Sequence, residues 1–201
     1  MREIRIDARR WLGRLVEEAR QWVPLHVEYQ FGFGTPANGA PGHPEPAGID
    51  GGWRLHGAVD AIDLATDGSA LRITDYKTGS NRFPRESVLA GGRMLQPMLY
   101  ALAVEEMLHR PVRQARLDFC TTRGGFTTLP VDIGPYQRSQ AALALDIIKG
   151  AITKGLLHPV PLDGACAFCD FRSVCGPTEQ SRWHVKDRAP LEPLFELRGL
   201  Q

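Results

Sequence analysis

Residues 56–79 read HGAVDAIDLATDGSALRITDYKTG, and this segment predicts the hairpin around which the fold is built. Two strand-like runs, at 53–64 and 70–77, lie on either side of Asp67-Gly68. That dipeptide is typical of two-residue hairpin turns, because both positions tolerate a left-handed backbone. If these two residues form the turn, the register of the whole hairpin follows from them.

The predicted register places Asp60 opposite Asp75, with Lys77 two residues further along on the same face. Opposed side chains lie about 4.5–5.5 Å apart at Cβ, so two carboxylates there repel each other. The same face carries apolar residues, which favours a covering helix; they are Ala58, Ile62, Leu64, Leu71 and Ile73. Two carboxylates and a lysine beside an apolar layer are typical of a Mg²⁺ or Mn²⁺ site in which lysine orients or activates a water. The alternative is a solvated strand end where Lys77 only neutralises the acids.

Outward from the hairpin, the apolar spacing predicts further helices and strands. The helices are predicted at 7–23, with Asp7 as N-cap, at 93–109 and at 136–154. The strands are predicted at 25–33 and, as a second hairpin, at 115–122 and 126–133. Residues 34–52 are so rich in Gly and Pro that no regular element is expected there. This order predicts an α/β (α+β mixed) fold with a central mixed sheet and flanking helices.

Composition sets the class of protein. The chain has 201 residues, of which 43% are hydrophobic and 23% charged, which excludes a disordered tail or a coiled coil. A net charge of +1 means that any nucleic acid must be bound by a local patch. The N-terminal MREIRIDARR is charged, and no segment approaches the roughly 20 apolar residues of a membrane span. We therefore expect a cytoplasmic protein that does not bind membranes.

Three motifs, in this order, resemble the PD-(D/E)XK nuclease superfamily. They are HGAVDAID at 56–63, DYKTG at 75–79 and QPMLY at 96–100. Within it, the chain is similar to the RecB and AddB nuclease domains and to RecB-like nucleases of CRISPR systems. The resemblance implies a restriction-endonuclease-like core at 1–157 and a Cys-rich metal-cluster segment at 158–201.

The resemblance also implies the roles of the acids and the lysine. Asp60 and Asp75 would ligate the catalytic metal, Mg²⁺ or Mn²⁺, and the backbone carbonyl of Tyr76 would join them. Lys77 would position the attacking water. Glu28 corresponds to a further acid found in the superfamily, although V-E-Y is also an ordinary strand sequence.

Gln96 and Tyr100 match the Q-x-x-x-Y motif that such nucleases direct at the substrate and the active site. Their i, i+4 spacing puts both side chains on one helix face. Taken alone, Gln96 would fit a solvated first helical turn and Tyr100 would fit core packing. Both are candidate catalytic residues by the resemblance.

A cysteine cluster follows the core with C-x₂-C-x₅-C spacing, which lets three thiolates converge on one metal. Its members are Cys166, Cys169 and Cys175. In AddB-type nucleases such cysteines join a distant N-terminal one around a [4Fe-4S] cluster. His158 or His184 could instead complete a Cys₃His zinc site, while Cys120 fits a buried core thiol.

One departure concerns the first helix. RecB-like relatives usually carry a metal-binding His on a helix upstream of the first strand, often preceded by the first cluster cysteine, and residues 7–23 contain neither. Two interpretations follow from this: the sequence is a piece of a longer nuclease, or its metal shell is reduced.

Three arginines flank the predicted site and are candidate phosphate contacts: Arg82, Arg85 and Arg93. The alternative is that they are ordinary solvated loop residues. Together these features predict a metal-dependent DNA nuclease of DNA repair or recombination, acting as an exonuclease on single strands or duplex ends. The alternative is a catalytically degenerate nucleic-acid-binding or helicase-docking module, and either function is compatible with a helicase partner.

Overall fold

The computed structural model describes residues 2–36, 39–84, 86–176 and 178–200. The helices are α1 Arg2–Glu18, α2 Gln96–Leu108, α3 Pro135–Thr153, α4 Arg172–Cys175, α5 Glu179–Arg182 and α6 Glu192–Gly199. The strands are β1 Trp22–Phe31, β2 Gly42–His43, β3 Ala47–Ile49, β4 Trp53–Leu55, β5 Gly57–Ala65, β6 Leu71–Lys77, β7 Val112–Phe119 and β8 Thr128–Asp132.

Six of these strands form one mixed sheet in the order β2-β1-β5-β6-β7-β8, and β3 pairs with β4 separately. The pairs β1/β2 and β6/β7 are parallel, and the others in the large sheet are antiparallel. Parallel β6 and β7 are joined by a crossover through α2, the usual way to connect such strands. The sheet and its flanking helices confirm the predicted fold class.

The central hairpin has the predicted register. The pairs run from Leu64↔Leu71 to Ala61↔Thr74. At the turn, Gly68 has a φ of 72°, and the N–H of Ser69 donates to Asp67 Oδ1 at 2.9 Å. The predicted two-residue turn is wrong, because the N–H of Ala65 donates to the carbonyl of Ala70 and the loop between them spans 66–69. Asp67 and Gly68 stand at the centre of this longer loop, which leaves the predicted register unchanged.

One face of the sheet lies against α2 and α3 and forms the apolar core. The largest fully buried side chains there are Phe31, Ile62, Leu71, Leu89, Met94, Met98 and Leu129. Val59 belongs to this core as well as Ile62, although an odd and an even position of one strand should face opposite sides. The strict alternation predicted along β5 is thus wrong between these two residues, and Ala58 is only half-buried.

The other face is covered by α1 and contains buried charges. Glu18 at the end of α1 forms ion pairs with Arg72 of β6, at 2.9 Å, and with Arg116 of β7, at 2.8 Å. Trp11 meets the ring of Tyr76 edge-on, and burial raises the pKa of that tyrosine to about 12. Ion pairs and aromatic contacts, more than apolar packing, hold α1 on the sheet.

Both predicted ends of the first helix are wrong. The first helix ends at Glu18, and Trp22 and Val23, which the helix pattern included, belong to β1. Asp7 lies inside α1 instead of capping it, and its Oδ1 accepts hydrogen bonds from the N–H and hydroxyl of Thr122. The helical periodicity continued past the true end because alternating apolar residues follow it directly.

The Gly/Pro-rich stretch 34–52 does contain regular structure, contrary to expectation. It provides β2, β3 and a 3₁₀ turn at Asp50–Gly52. Both strands are very short, and β2 adds only the pairs Gln30↔Gly42 and Phe31↔His43 to the sheet edge. None of the helices in the described part of the chain combines the length and apolar character needed to cross a bilayer.

Candidate active site

The two residues at the end of β6, Asp75 and Lys77, form the centre of the site. The Lys77 ammonium contacts Asp75 Oδ2 as an ion pair. The Asp75 side chain is only 9% exposed, whereas that of Lys77 is 37% exposed. The carboxylate is thus held inside the protein, while the ammonium reaches toward solvent from which a substrate would arrive.

Gln96, the first residue of α2, links these two charges. Its Nε2 donates to Asp75 Oδ1 at 2.8 Å, and its Oε1 lies 3.5 Å from Lys77 Nζ. Pro97 lies in the first turn of α2, where its missing N–H breaks no helical hydrogen bond, so the helix can begin at Gln96. The glutamine of the Q-x-x-x-Y motif therefore contacts both Asp75 and Lys77.

Asp60 of β5 stands beside this group. Its Oδ2 accepts the backbone N–H of Tyr76 at 2.7 Å, which fixes the carboxylate against the strand that carries Asp75 and Lys77. The other oxygen of Asp60 is left for a further partner. The last pair of the hairpin is Ala61↔Thr74, and Asp60 and Asp75 follow it on the two strands, near enough for the charge of Asp60 to raise the pKa of Asp75.

Electrostatics distinguish Asp75 from an ordinary carboxyl. Burial raises its pKa, and the negative charge of Asp60 raises it further. Lys77 lowers the pKa but does not cancel the effect of burial. Ionised Asp75 is therefore incompletely compensated by the protein itself.

A divalent cation fits this arrangement. Within the described residues, Asp75 Oδ2 meets the Lys77 ammonium and Asp60 Oδ2 accepts the N–H of Tyr76, so that two carboxylates share a single nearby cation. Carboxylate and carbonyl oxygens are the ligands that Mg²⁺ and Mn²⁺ prefer. Asp60, Asp75 and the carbonyl of Tyr76 are the residues that would hold such an ion.

Tyr100 contacts β5 rather than the acids. A Cβ built on Gly57 would lie 3.0 Å from Tyr100 Cε1, so this ring rests directly on the glycine. The ring also meets Phe31 edge-on, with centroids 6.0 Å apart. Tyr100 thus anchors α2 onto the strand that carries Asp60, which agrees with core packing, the alternative reading of this residue.

Glu28 of β1 lies beside Asp60 of the paired strand β5, but its side chain does not join the site. It falls between the pairs Val27↔Ala61 and Tyr29↔Val59 and has a left-handed φ of 51°. Its side chain is exposed. Across the described ranges, no three His, Cys, Asp or Glu side chains form a group able to hold a metal, so Glu28 is not gathered with the two aspartates.

The flanking arginines occupy the connection between β6 and α2. Arg82 is exposed, and Arg93 is exposed with its guanidinium 5.9 Å from the ring of Phe83. Arg93 Nε also donates to the carbonyl of Ala90 at 3.1 Å. Arg85 lies outside the described residues.

The C-terminal cysteines are free thiols. Cys169 is exposed, whereas Cys166 and Cys175 are half-buried, and the described residues do not gather them into a metal group. His184 stacks on Trp183 with ring centroids 3.9 Å apart, away from a ligand role. As placed, these residues do not fit a zinc or iron–sulfur site.

Sequence reasoning missed the support behind Lys77. Cys120, predicted as a buried core thiol, is half-buried beside β6, and its N–H donates to the carbonyl of Lys77 at 3.1 Å. Thr121 Oγ1 donates to the carbonyl of Thr78 at 3.0 Å. The strand–helix–strand order of β6, α2 and β7 is the signal that could have revealed this neighbour, since it is typical of a parallel crossover.

With this geometry in hand, the comparison with known families is decisive. A model of the PD-(D/E)XK nuclease superfamily matches residues 2–176. The chain belongs to the PD-(D/E)XK nuclease superfamily. The match includes α1 and the three C-terminal cysteines, and it confirms the superfamily predicted from the motifs. No curated protein matches the chain.

Membership in this superfamily indicates nuclease activity and a nucleic acid substrate. PD-(D/E)XK nucleases typically use divalent metals such as Mg²⁺, in agreement with the oxygen ligands that Asp60 and Asp75 present. The similarity to RecB and AddB nucleases stays a prediction.

Proposed function

We propose that the chain is a Mg²⁺- or Mn²⁺-dependent deoxyribonuclease that acts as an exonuclease on single-stranded DNA or DNA ends. The observation that carries this proposal is the linked group at the end of β6, in which Gln96 contacts both Asp75 and Lys77. A role in DNA repair or recombination, a helicase partner and a cytoplasmic location are extensions of the proposal that rest on the resemblance and the charged N-terminus.

Each side chain has a role that follows from its environment. Asp60 and Asp75 supply negative charge at a fixed spacing, and a bound divalent cation would supply Lewis-acid chemistry and a more acidic water there. Lys77, half exposed beside them, stabilises negative charge that develops on the phosphate and orients the attacking water. Gln96 sets the positions of Asp75 and Lys77 relative to each other.

The decisive experiment measures cleavage of labelled linear single-stranded DNA with Mg²⁺, Mn²⁺ or chelator. Asp75→Asn and Lys77→Met are each expected to lower the rate by about 10²–10⁴-fold while the protein stays folded. Asp132→Asn and Lys149→Met are matched controls, because both residues are exposed on β8 and α3, and both should cleave like the wild type.

Circular single-stranded DNA tests the exonuclease mode, since it has no ends and should resist cleavage. Full activity of Asp75→Asn and Lys77→Met would contradict the assignment of the site. A wild type that binds DNA but cleaves it with neither metal would instead support the degenerate binding module.

The spacing of the three C-terminal cysteines also supports a structural metal site in segment 158–201, although they are not gathered as one. No step of the reaction is assigned to it. Metal analysis of the purified protein decides between zinc, an iron–sulfur cluster and free thiols.

A further inference from the structure

The loop between β7 and β8 lies at the same end of the strands as the candidate active site. Because β6 and β7 are parallel, with Lys77 paired to Phe119, both strands end there. The loop is packed closely against the end of β6, and a Cβ on Gly124 would lie 2.9 Å from the carbonyl of Gly79. The loop therefore adjoins the residues that directly follow Lys77, and Thr121 Oγ1 donates to the carbonyl of Thr78.

The loop and the adjoining helix α1 carry two exposed arginines and an aromatic ring. Arg123 is exposed in the 3₁₀ turn Thr122–Gly124. Arg10 of α1 is exposed too, and its guanidinium carbon lies 4.4 Å from the centroid of the Phe126 ring. This cation–π contact favours a position of the arginine over the loop.

Phe126 is held in its position by an unusual backbone. Its φ is 51°, which is rare for a bulky residue, and its N–H donates to the carbonyl of Thr121 at 3.2 Å. Asp7 of α1 accepts hydrogen bonds from Thr122, so the helix and the loop are joined on both sides of the ring. Arg10 and Arg123 therefore lie on two elements, α1 and the loop, that contact each other directly.

We propose that Arg10 and Arg123 bind backbone phosphates of a single DNA strand as it leaves the active site on the α1 side, with Phe126 as a positioning residue for Arg10. The inference rests on the proposed function and extends it. Arg82 and Arg93 lie on the connection from β6 to α2, whereas Arg10 and Arg123 belong to α1 and to the loop between β7 and β8. A protein of net charge +1 needs such local concentration of cations to bind DNA.

The test uses Asp75→Asn as a non-cleaving parent and measures its binding to a labelled single-stranded oligonucleotide by fluorescence anisotropy over a series of salt concentrations. Adding Arg10→Ala or Arg123→Ala should weaken binding about three- to tenfold and reduce the slope of log K against log salt by about 0.7. Arg123→Gln serves as a second variant that keeps the length of a polar side chain.

Phe126→Leu keeps an apolar side chain but removes the ring under Arg10. It should weaken binding less than Arg10→Ala and should add nothing in the Arg10→Ala background, a non-additivity that a general loss of stability would not produce. Arg188→Ala and Arg110→Ala are the controls, since Arg188 also lies over a phenylalanine, Phe195, and Arg110 precedes β7 at the opposite end of the strands. Both should leave affinity and salt slope unchanged.

Unchanged affinity and slope in the Arg10 and Arg123 variants, or no binding by the Asp75→Asn parent at low salt, would overturn the inference. The outcomes separate it from the proposed function. A wild type that does not cleave DNA, but binds it with the predicted dependence on both arginines, would overturn the nuclease assignment and leave this surface in place.

Discussion

On the α1 face of the sheet, Arg72 is buried between two acids, Asp63 at 2.7 Å and Glu18 at 2.9 Å. On the α2 face, among the residues that the structure describes, buried Asp75 has one cation near it, Lys77, and a second acid, Asp60, on the neighbouring strand. Even and odd positions of one strand, β6, thus place charges on opposite faces of the sheet, in two very different environments.

The difference separates structural charge from functional charge. Under α1, the arginines and acids compensate each other within the protein, and Arg116 also donates to Thr74 at 2.8 Å. Under α2, two carboxylates face one ammonium, which leaves an excess of negative charge that an external cation can neutralise. Two carboxylates that share one cation are a better indicator of a site than a buried charge as such.

The strongest test of this comparison is Arg72→Met. It should lower the free energy of unfolding by about 3–5 kcal/mol, because Asp63, only 7% exposed, would lose its cation. Urea denaturation measures the loss, and the cleavage rate per folded molecule should not change. By contrast, Asp75→Asn should be at least as stable as the wild type while losing activity.

Arg113→Met is the control for the Arg72 variant, since Arg113 is exposed on β7 and should change stability by no more than about 0.5 kcal/mol. If Asp75→Asn were destabilised as much as Arg72→Met, the division between the two faces would be wrong.

A second test changes packing on the α2 face without changing any charge. Gly57→Ala would place a methyl group 3.0 Å from Tyr100 Cε1 and 3.2 Å from Phe31 Cζ. We expect a loss of about 1–3 kcal/mol in the free energy of unfolding and a reduced cleavage rate, as the displaced ring shifts α2 and with it Gln96.

Gly48→Ala is a suitable control for this variant, because a Cβ at Gly48 meets no atom within 4 Å. Wild-type activity in Gly57→Ala would show that the seat of Tyr100 does not determine the position of Gln96.

The smallest effect is expected from Glu18→Gln and depends on pH. Burial raises the pKa of Glu18, but hydrogen bonds and charge from Arg116 and Arg72 outweigh it, so that the net pKa lies below the ordinary 4.5. A lowered pKa in the folded state adds stability above pH 4.5, and that stability is lost as the pH falls through the folded pKa.

Glu18→Gln should therefore cost about 1 kcal/mol at pH 7, and its difference from the wild type should shrink below pH 4.5. Urea denaturation at several pH values measures this. A difference that stays constant from pH 7 to pH 3.5 would refute the role of the Glu18 charge.

The parts of the fold that local sequence determines were predictable. Asp67-Gly68 determined the hairpin register. From that register came the approach of Asp60 to Asp75. The helix predicted at 93–109 is α2, although it begins three residues later, at Gln96. The motif at 96–100 predicted Gln96 as a site residue, since its i, i+4 spacing and its place at the start of a helix are both visible in the sequence.

Features that depend on distant residues were not predictable. The left-handed backbone of Glu28 and the break in alternation after Val59 arise where β1 and β5 pair, and neither residue signals them locally. Asp7 looks like an N-cap in the sequence, yet it binds Thr122, a residue 115 positions away. Tertiary contacts override local preference in each of these cases.

The ion pairs under α1 also bear on how the chain folds. Glu18 and Arg116 are separated by 98 positions, and Arg14 bonds to the carbonyl of Phe126 across 112. A chain made from its N-terminus carries α1 without these partners until β7 and β8 exist, so docking of α1 is expected to be a late and slow step. Until α1 docks, hydrated Arg72 and Arg116 lie on the open face of the sheet and keep it from associating with other unfinished chains.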